Sequence, residues 1–374
     1  MRNVVRSSDI VVVGAGIVGA AVAYELTRRG ASVSIVDARA PGAGATHASG
    51  GMLAPYTEAA EGGPLLTLGA RSRGLFRSLV DDVQADSAIE VNYRETGSLH
   101  VAHADTTLEH FDLTCTTLAS LGVPATRLSA TDVRVYEPHL AGDVRGGLLL
   151  PSQAVVSAPA LTSALIAAAQ RRGATLLEPS SVLGICSRSG AIVVDTDRGR
   201  VGAGAVVLAA GAWSKSIKVD GADPVPLTPI RGQLLHLGWN GAPVSRITWD
   251  ERCYVVPWQD GTLLVGATME DVGFDERTTV AGVKGLLEAV CDLLPHAATA
   301  HLASARAGLR PSTPDGLPVV GWSSVVPRLM YATGHYRNGV LLAPLTAQIV
   351  ADAVVDGRRD PAFDFTDPGR FGRL

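Results

Sequence analysis

Residues 9–37 constrain this chain more than any other segment, because they have the composition of a complete β-α-β unit. A β-branched run at 10–13 ends on a glycine turn, and a helix-compatible stretch then continues to Gly30. A second short apolar run at 32–36 is followed directly by Asp37. Strand, glycine turn, helix, strand and acid within about 30 residues predict a dinucleotide-binding unit rather than a purely structural one.

The three glycines of the turn have separate expected roles. Gly14 permits the tight turn, Gly16 lets the backbone approach a pyrophosphate, and Gly19 lets the helix lie close to the sheet. The helix N-terminus offers unpaired N–H groups and partial positive charge to the phosphates. Asp37 is placed to accept hydrogen bonds from ribose hydroxyls. This pattern leaves open whether the ligand is NAD or FAD.

Composition narrows the class of partner. The 374 residues are enough for two domains, or for one with a large insertion, and 47% of them are hydrophobic. The net charge is −4, and no run of Lys or Arg exceeds two residues. We therefore expect neither a nucleic acid partner nor binding to a membrane surface. No signal peptide or membrane span is visible, so a cytoplasmic location is expected.

Cysteine and histidine spacing gives no metal site. The four cysteines are widely spaced without a CxxC pair, and we interpret them as reduced thiols. His100 and His103 are three residues apart on a predicted strand and therefore point to opposite faces, so they cannot converge on one ion. No metal is predicted.

A loop of small residues at 43–56 leaves the second strand of the nucleotide unit. It could be an ordinary flexible connection, but long loops inside compact domains usually carry function. Small residues let backbone N–H groups come close to a flat or phosphorylated ligand. We interpret Ala45, Thr46 and residues 50–52 as a second cofactor cradle.

The remaining segments alternate between helix and strand patterns. Helices are predicted at 65–83, 130–138, 159–173, 279–294 and 341–355, and strands at 98–102, 174–178, 190–197, 200–207 and 329–332. Asp260-Gly261 joins two apolar runs as a β-hairpin. The fully apolar run at 205–214 suits a central parallel strand, so the nucleotide domain is resumed after an insertion of about a hundred residues.

These segments together resemble the D-amino-acid oxidase superfamily of FAD-dependent amine oxidoreductases and, within it, the glycine oxidase family. The resemblance rests on GAGIVG with Asp37, SGGMLAP, PIRGQ at 229–233, CYVVP with VGATME, AGLRP, and GHYRNGVLLAP at 334–344. It implies an α/β fold: a Rossmann-like FAD-binding domain with an inserted α+β substrate domain dominated by an antiparallel sheet. The expected ranges are 1–60, 140–215 and 305–374 for the FAD domain, and 61–139 and 216–304 for the substrate domain.

The C-terminal motif favours FAD over NAD on physical grounds. An apolar strand ends at Gly334, and a helix starts near Gly339 with its positive end toward a ligand. A reduced flavin carries negative charge that such a helix end stabilises. The alternative is a glycine-hinged helix start that serves packing alone. Since no cysteine follows Cys291, the covalent flavin link of some relatives is not expected, and FAD is predicted to be non-covalent.

The resemblance implies a set of cofactor contacts along the chain. They are Gly14, Ala15, Gly16, Ile17, Val18, Gly19, Asp37, Ala38, Arg39, Ala45, Thr46, Ser49, Gly50, Gly51, Met52, Val182, Ala210, Gly211, Trp213, Gly308, His335, Tyr336, Arg337, Asn338, Gly339 and Val340.

Arg310 is the first candidate for contact with the substrate. An arginine among apolar, proline and glycine neighbours is costly to bury unless it pairs with an anion. Its planar guanidinium can grip a carboxylate through two hydrogen bonds. The resemblance implies that Arg310 holds the substrate carboxylate; the alternative is a structural salt bridge to an internal acid.

Four further residues are candidates for the substrate site through the resemblance. Tyr254 matches a carboxylate contact, although a strand tyrosine alone could equally serve packing. Arg337 matches a substrate-site arginine, with a surface position as the alternative, and Met52 is expected beside the substrate. Arg252 stands where the family commonly has histidine, and an extra cation there could favour a more acidic substrate. The expected catalytic residues are Arg310, Tyr254 and Arg337.

The implied reaction is oxidation of the Cα–N bond of glycine or another small amino acid, such as sarcosine, D-alanine or D-proline. Hydride transfer to flavin N5 would give the imine and then the 2-oxo acid, ammonia and hydrogen peroxide, in the thiazole branch of thiamine biosynthesis. The partners are the amino acid and molecular oxygen, and a homo-oligomer is expected. The alternatives are a D-amino-acid dehydrogenase with another electron acceptor, a non-catalytic flavin-binding subunit, and a nicotinamide dehydrogenase.

Overall fold

A computed structural model describes residues 4–57, 61–188 and 191–374. Residues 1–3, 58–60 and 189–190, which fall within the predicted FAD-domain ranges and at the start of the predicted strand 190–197, lie outside the described residues. Along the described chain the strands are β1 Val4–Val13, β2 Val33–Val36, β3 Met52–Leu53, β4 Tyr93–Arg94, β5 Ser98–Ala102, β6 Thr126–Ser129, β7 Gly146–Leu150, β8 Ala154–Val156, β9 Thr175–Leu177, β10 Val182–Arg188, β11 Ala191–Thr196, β12 Gly199–Leu208, β13 Lys218–Val219, β14 Thr228–Gly238, β15 Ile247–Trp249, β16 Tyr254–Pro257, β17 Thr262–Gly266, β18 Glu270–Asp271, β19 His301–Ser312, β20 Val319–Trp322 and β21 Leu329–Thr333.

Most of the helices follow the sequence patterns. They are α1 Ile17–Arg28, α2 Pro64–Gly74, α3 Phe76–Ser87, α4 Asp105–Ser120, α5 Ala130–Tyr136, α6 Ala158–Arg171, α7 Val280–Leu293, α8 Gly339–Val354 and α9 Phe363–Thr366, with 3₁₀ turns at Ala45–Ala48, Gly211–Ser216, Pro295–Thr299, Tyr336–Asn338 and Pro368–Phe371. Side-chain caps fix several starts: Ser129 forms a capping box with Asp132 at α5, and Thr279 accepts the Gly282 N–H at α7.

Among the described residues, the first sheet has nine strands in the order β13-β10-β11-β12-β1-β2-β9, with β21 paired to β12 and β20 paired to β21. Its centre is parallel, because β1 pairs with β12 and β2, and β12 pairs with β21, all in parallel register. The strand at 205–208 is therefore central and parallel, as its apolar composition predicted.

The second sheet also has nine strands, in the order β18-β14-β17-β16-β15-β5-β7-β6, with β19 paired to β14. Every pairing is antiparallel except that of β5 with β15. The hairpin predicted at Asp260-Gly261 joins β16 and β17. A small third sheet has the order β3-β8-β4. The predicted α/β fold with an antiparallel second sheet is confirmed.

Helices α1, α6 and α8 bury their apolar faces in one core on the first sheet, together with α2 and α3. Ser72 in α2 ties this layer together, since its hydroxyl donates to the Leu341 carbonyl at 2.6 Å and accepts from the Leu345 N–H at 3.3 Å. These bonds serve the turn of α8 that contains Pro344, a residue without a backbone N–H to donate. Helix α7 packs against the second sheet in a separate core.

The structure differs from the sequence prediction in several elements. The single helix predicted at 65–83 is two helices, α2 and α3, which break at Leu75. Strand β10 and the helices α4 and α9 were not predicted. The division into two domains stays a prediction, but several elements lie elsewhere than its ranges imply. Helices α2 and α3 pack with the first sheet and β13 belongs to it, whereas β7 and most of β19 belong to the second. Local patterns define elements but not the layer that each one joins.

Within the described part of the chain, the structure has no helix that is both long and apolar enough to cross a bilayer. The same residues contain no group of three or more His, Cys, Asp or Glu side chains arranged to hold a metal ion. His100 is buried and stacks on Trp249, whereas His103 faces Asp143 at 3.2 Å near the surface. The two histidines therefore lie in different environments.

Candidate active site

A cavity of about 890 Å³ runs between the two large sheets. One end lies at the carboxyl ends of β1, β2 and β12, and the other is bounded by β16, β17 and β19 and by the start of α8. Ligands of open α/β sheets bind in the crevice outside the carboxyl ends of the strands. The volume is within the range of about 300–1,000 Å³ found for cofactor and small-molecule sites.

The glycine turn after β1 has the geometry that its sequence requires. Gly14 has φ +107°, and a methyl group there would stand 2.5 Å from the Ala209 carbonyl oxygen. A methyl group at Gly19 would stand 3.0 Å from the Gly14 carbonyl carbon, so only glycine lets α1 approach the turn. These two structural roles are confirmed. A methyl group at Gly16 would meet only the Thr46 hydroxyl, at 3.5 Å, which leaves the backbone open toward the cavity.

Asp37 and Thr46 fix the backbone at the start of α1. The Asp37 carboxylate accepts the Ala15 N–H at 2.6 Å and the Arg39 N–H at 2.8 Å. The Thr46 hydroxyl accepts the Ile17 N–H at 3.1 Å and keeps its own proton to donate. Asp37 and Thr46 both line the cavity, and a carboxylate with two accepted bonds retains acceptor capacity for ribose hydroxyls.

An ion pair joins two segments of the cavity wall. Arg39, from the loop after β2, pairs with Glu276, from the loop before α7, at 2.9 Å. The Arg39 guanidinium lies 4.2 Å from the centre of the Trp213 ring, and the centres of the Phe274 and Trp213 rings are 6.0 Å apart. Arg39, Trp213 and Glu276 all line the cavity, so segments of both large sheets meet over it.

The segment between β21 and α8 closes the far end. Gly334 has φ +74° and Tyr336 has φ +47°, and the chain then enters α8 at Gly339. His335 is buried and hydrogen-bonds Thr346 at 3.0 Å, and burial lowers the pKa of His335 to about 4. The ring is therefore neutral at physiological pH, and the positive potential at this end comes from the start of α8 and from neighbouring arginines.

Arg310 extends from β19 onto the cavity wall. Its Nη1 donates to the Thr268 carbonyl at 3.0 Å and to the Arg231 carbonyl at 3.5 Å. The guanidinium lies against the bare backbone of Gly232, where a methyl group would stand within 2.5 Å of Nη1, Cζ and Nη2. Among the residues that the structure describes, no carboxylate forms an ion pair with Arg310. The structural salt bridge considered as an alternative is thus absent there.

Tyr254 lies beside Arg310 at the start of β16. Its ring packs between Gly50 and Gly266, where added methyl groups would come within 2.9 Å of the ring. Burial raises the pKa of Tyr254 above its usual value, and the positive charge of Arg310 offsets this only in part. The phenol is therefore protonated and able to donate a hydrogen bond. Trp249 contacts the same ring at 5.6 Å between centroids.

The other predicted substrate residues line the cavity in different surroundings. Met52 is on β3, and Arg337 is on the 3₁₀ turn before α8, 5.5 Å from the centre of the Tyr336 ring. Arg252 does not share a strand face with Tyr254, because it precedes β16 in a loop and forms an ion pair with Asp292 on α7. Since Asp292 balances its charge, the expected preference for acidic substrates finds no support at this residue.

Most of the predicted cofactor residues line the same cavity. Those that do are Gly14, Gly16, Ile17, Val18, Asp37, Ala38, Arg39, Ala45, Thr46, Ser49, Gly50, Gly51, Met52, Val182, Ala210, Gly211, Trp213, His335, Tyr336, Arg337, Asn338, Gly339 and Val340.

Three predicted cofactor residues have structural positions instead. Ala15 is fully buried and its N–H is bound to Asp37, and Gly19 packs on Gly14. Gly308 lets β19 approach the 3₁₀ turn, because a methyl group there would stand 3.0 Å from Ala45 Cα. None of the three lines the cavity. For these three, as for the others, contact with the cofactor stays a prediction.

Several lining residues were not predicted as site residues. They include Leu65, Leu66, Trp249, Thr268, Met269 and Glu276. The VGATME motif at 265–270 was a signal for two of them, since its residues follow β17 into the cavity. Leu65 and Leu66 carried only a helix signal.

Comparison with known proteins agrees with this geometry. A model of the family described as FAD dependent oxidoreductase (DAO) matches residues 9–353. The chain belongs to this family of FAD-dependent oxidoreductases. Glycine oxidase from Geobacillus kaustophilus is 35% identical over 365 residues, which cover 95% of this chain and 94% of that protein.

Two more comparisons extend this result to the structure and to a longer protein. The crystal structure of the Geobacillus glycine oxidase matches with a TM-score of 0.92 and 33% identity over 99% of each chain. The bifunctional protein ThiO/ThiG of Nostoc sp. is 36% identical over 367 residues, which cover 94% of this chain. The chain spans 53% of the length of that bifunctional relative.

FAD is the cofactor of this oxidoreductase, and the residues present fit it. The open side of Gly16, the α1 N-terminus and the acceptor Asp37 suit a dinucleotide, and the cavity continues past Trp213 to the α8 N-terminus. All four cysteines, Cys115, Cys186, Cys253 and Cys291, are free in the structure, and only Cys253 lines the cavity. Burial raises the pKa of Cys253 far above its usual value, which makes it unreactive. Non-covalent binding stays our prediction.

Proposed function

We propose that this enzyme oxidises the Cα–N bond of glycine or of another small amino acid, such as sarcosine, D-alanine or D-proline. For glycine, the balanced reaction consumes oxygen and water and gives glyoxylate, ammonia and hydrogen peroxide. The names of the relatives support this proposal, since the Geobacillus protein is a glycine oxidase and the Nostoc protein is a bifunctional ThiO/ThiG. We further propose that the reaction serves thiamine thiazole biosynthesis.

The position of Arg310 is the observation that carries the proposal. Its guanidinium has only backbone carbonyls as hydrogen-bond acceptors, although it lines a cavity in the described structure. A positive charge that is partly removed from water, without an anionic neighbour, is costly. A substrate carboxylate that accepts two parallel hydrogen bonds would satisfy it and fix the direction of Cα.

Tyr254 and Arg337 complete the proposed grip on the substrate. The neutral Tyr254 phenol can donate to the carboxylate that Arg310 holds, because its raised pKa keeps its proton in place. Arg337 adds positive charge beside Tyr336 at the same end. Met52 and Trp249 supply apolar walls that exclude water. Held in this way, an amino acid can react in one orientation, and orientation alone can supply several kcal/mol.

When bound, FAD supplies the acceptor for the two electrons and the hydrogen that leave Cα. An amine that binds without its extra proton needs no dedicated base, because its lone pair forms the C=N bond as the electrons leave. Burial lowers the pKa of His335 to about 4, which makes it a weak proton acceptor, and its ring is bonded to Thr346. The N-terminus of α8 favours negative charge that develops at this end of the cavity.

Anaerobic mixing of the FAD-loaded enzyme with glycine, sarcosine, D-alanine and D-proline tests the proposal. Bleaching of the flavin absorbance by at least one of them, followed by peroxide formation when air is admitted, is the expected result. Bleaching without peroxide would identify a dehydrogenase with another electron acceptor. No bleaching by any amino acid would leave only a flavin-binding protein. A cytoplasmic location and a homo-oligomeric state stay predictions from the sequence.

A further inference from the structure

A network of polar side chains lies behind the wall that carries Arg310. Glu270, on β18, is its centre, because three residues converge on its carboxylate. Arg231 Nη2 lies 2.5 Å from Oε2, while Gln233 Nε2 and the Thr268 hydroxyl donate to Oε1 at 2.7 and 2.6 Å. Arg231 is only 3% exposed, so its charge depends on Glu270 and on Asp275, 3.1 Å away.

The network fixes the backbone that Arg310 uses. Thr268 accepts the Gln233 N–H with its hydroxyl at 2.9 Å and donates its own N–H to the Gln233 carbonyl at 3.2 Å. These bonds join residues 266–270 to β14 next to Gly232. The Thr268 carbonyl is the closest acceptor of the Arg310 guanidinium, at 3.0 Å, and the second acceptor is the Arg231 carbonyl. Both acceptors therefore belong to residues that Glu270 binds.

Glu270 acts on Arg310 without neutralising it. Burial by itself would raise the pKa of Glu270, but the hydrogen bonds from Arg231, Thr268 and Gln233 outweigh it and hold that pKa below its usual value. The carboxylate is thus ionised and forms an ion pair with Arg231, and among the described residues it forms none with Arg310. A carboxylate in direct contact with Arg310 would compete with the substrate, whereas one bound behind the wall does not.

We infer that Glu270 is a positioning residue for the substrate carboxylate, because it holds the Thr268 and Arg231 carbonyls that orient the Arg310 guanidinium. This inference rests on the proposed function, in which Arg310 binds that carboxylate. Glu270 itself does not touch the substrate. Its removal is therefore expected to weaken carboxylate binding and raise KM, with a smaller change in kcat at saturating substrate.

A double-mutant cycle with Arg310 tests the inference. Glycolate is the probe, since it has the carboxylate of glycine and a hydroxyl in place of the amine, and its binding is followed by the absorbance of the enzyme-bound flavin. We expect Glu270→Gln to weaken glycolate binding about tenfold in the native background, within the range for residues coupled in one network. In the Arg310→Lys background the same substitution is expected to change binding by less than about twofold.

Two results would overturn the inference. One is an equal loss in both backgrounds, which would mean that Glu270 acts on the fold in general. The other is unchanged glycolate binding in Glu270→Gln. If Arg310→Lys alone leaves glycolate binding intact, the proposed function loses its carboxylate site, which separates that failure from failure of the Glu270 inference.

Two more variants complete the design. Thr268→Val keeps the side-chain shape but removes the hydroxyl that joins Glu270 to the Gln233 backbone, and it is expected to reproduce the cycle. It takes the place of Glu270→Gln if that variant does not fold. Glu288→Gln is the matched control, because Glu288 is an exposed α7 carboxylate whose ion-pair partner among the described residues is Lys284, at 3.6 Å. It is expected to leave glycolate binding unchanged.

Discussion

Adding one methyl group at Gly232 should displace the substrate arginine without disturbing the fold. The Cβ of Gly232→Ala would stand within 2.5 Å of Nη1, Cζ and Nη2 of Arg310, and these are its three nearest heavy atoms. Gly232 lies in the middle of β14, paired with Gly308 across the ladder. Because the clash involves only the end of a flexible side chain, we expect the guanidinium, not the sheet, to move.

The size of the effect follows from this distance. An ordinary contact needs at least 3.4 Å, so the guanidinium must retreat by about 1 Å. A misplacement of about 1 Å at a reacting or orienting group can reduce the rate about 10²-fold. Loss of one charge-assisted hydrogen bond costs about 1.5–3 kcal/mol, which corresponds to roughly a 10–150-fold loss in affinity. We therefore expect glycolate affinity to fall, and KM for the amino acid to rise, by about 10–100-fold.

The assay compares glycolate titration, KM and thermal unfolding in Gly232→Ala and in a control. Gly285→Ala is suitable, since Gly285 is on α7 with open space around the added methyl group, and alanine there should stabilise the helix by up to about 1 kcal/mol. Native glycolate affinity in folded Gly232→Ala would refute the assignment of the carboxylate site to Arg310. A large loss of stability with loss of FAD would refute the claim that only the side chain moves.

Three further predictions concern single side chains. Tyr254→Phe should raise KM by about 3–20-fold in steady-state assays. Because burial raises the pKa of the Tyr254 phenol, a pH profile of KM for the native enzyme should show no titration of Tyr254 between pH 7 and about 9.5. Glu276→Gln removes the ion-pair partner of Arg39 in the cavity wall. Since both side chains are about one-third exposed, FAD release should accelerate by up to about fivefold at low salt and show no measurable change in 1 M salt. FAD fluorescence after dilution of the enzyme measures the release rate. Hydrogen bonds from Arg73 and from Tyr93 hold the pKa of Glu95 at about 2. Its contribution to stability is therefore present above its unfolded pKa of about 4.3 and is lost as pH falls toward 2. Glu95→Gln should make the free energy of unfolding less dependent on pH in this acid range, and an unchanged slope there would contradict this prediction.

Much of the fold could be predicted because its signals are local. The alternation of β1, α1 and β2, the positive φ at Gly14 and the caps of α5 and α7 depend on residues within a few positions of each other. The spacing of apolar residues, with a period of 3.6 in helices and 2 in strands, and the steric limit on φ are visible in the sequence of a segment whatever its position in the fold. The helix start in the C-terminal motif then favoured FAD over NAD.

The candidate site was harder to predict from the sequence, because its contacts join residues that are far apart in the chain. The partner of Arg252 is Asp292, forty positions later, and the carbonyls that hold Arg310 come from Arg231 and Thr268 on other strands. No periodicity indicates which charged side chains meet, so the sequence could not show that Arg252 pairs with Asp292.

Sequence alone determined the nucleotide-binding unit, most of the helices and the central parallel strand, because backbone geometry and burial period are properties of each segment. Tertiary structure decided that β19 joins the second sheet and that α2 and α3 join the first layer. It also decided that Glu270 is bound behind Arg310 rather than to it. Ion pairs and sheet membership depend on which distant segments come into contact, and only the folded chain contains that information.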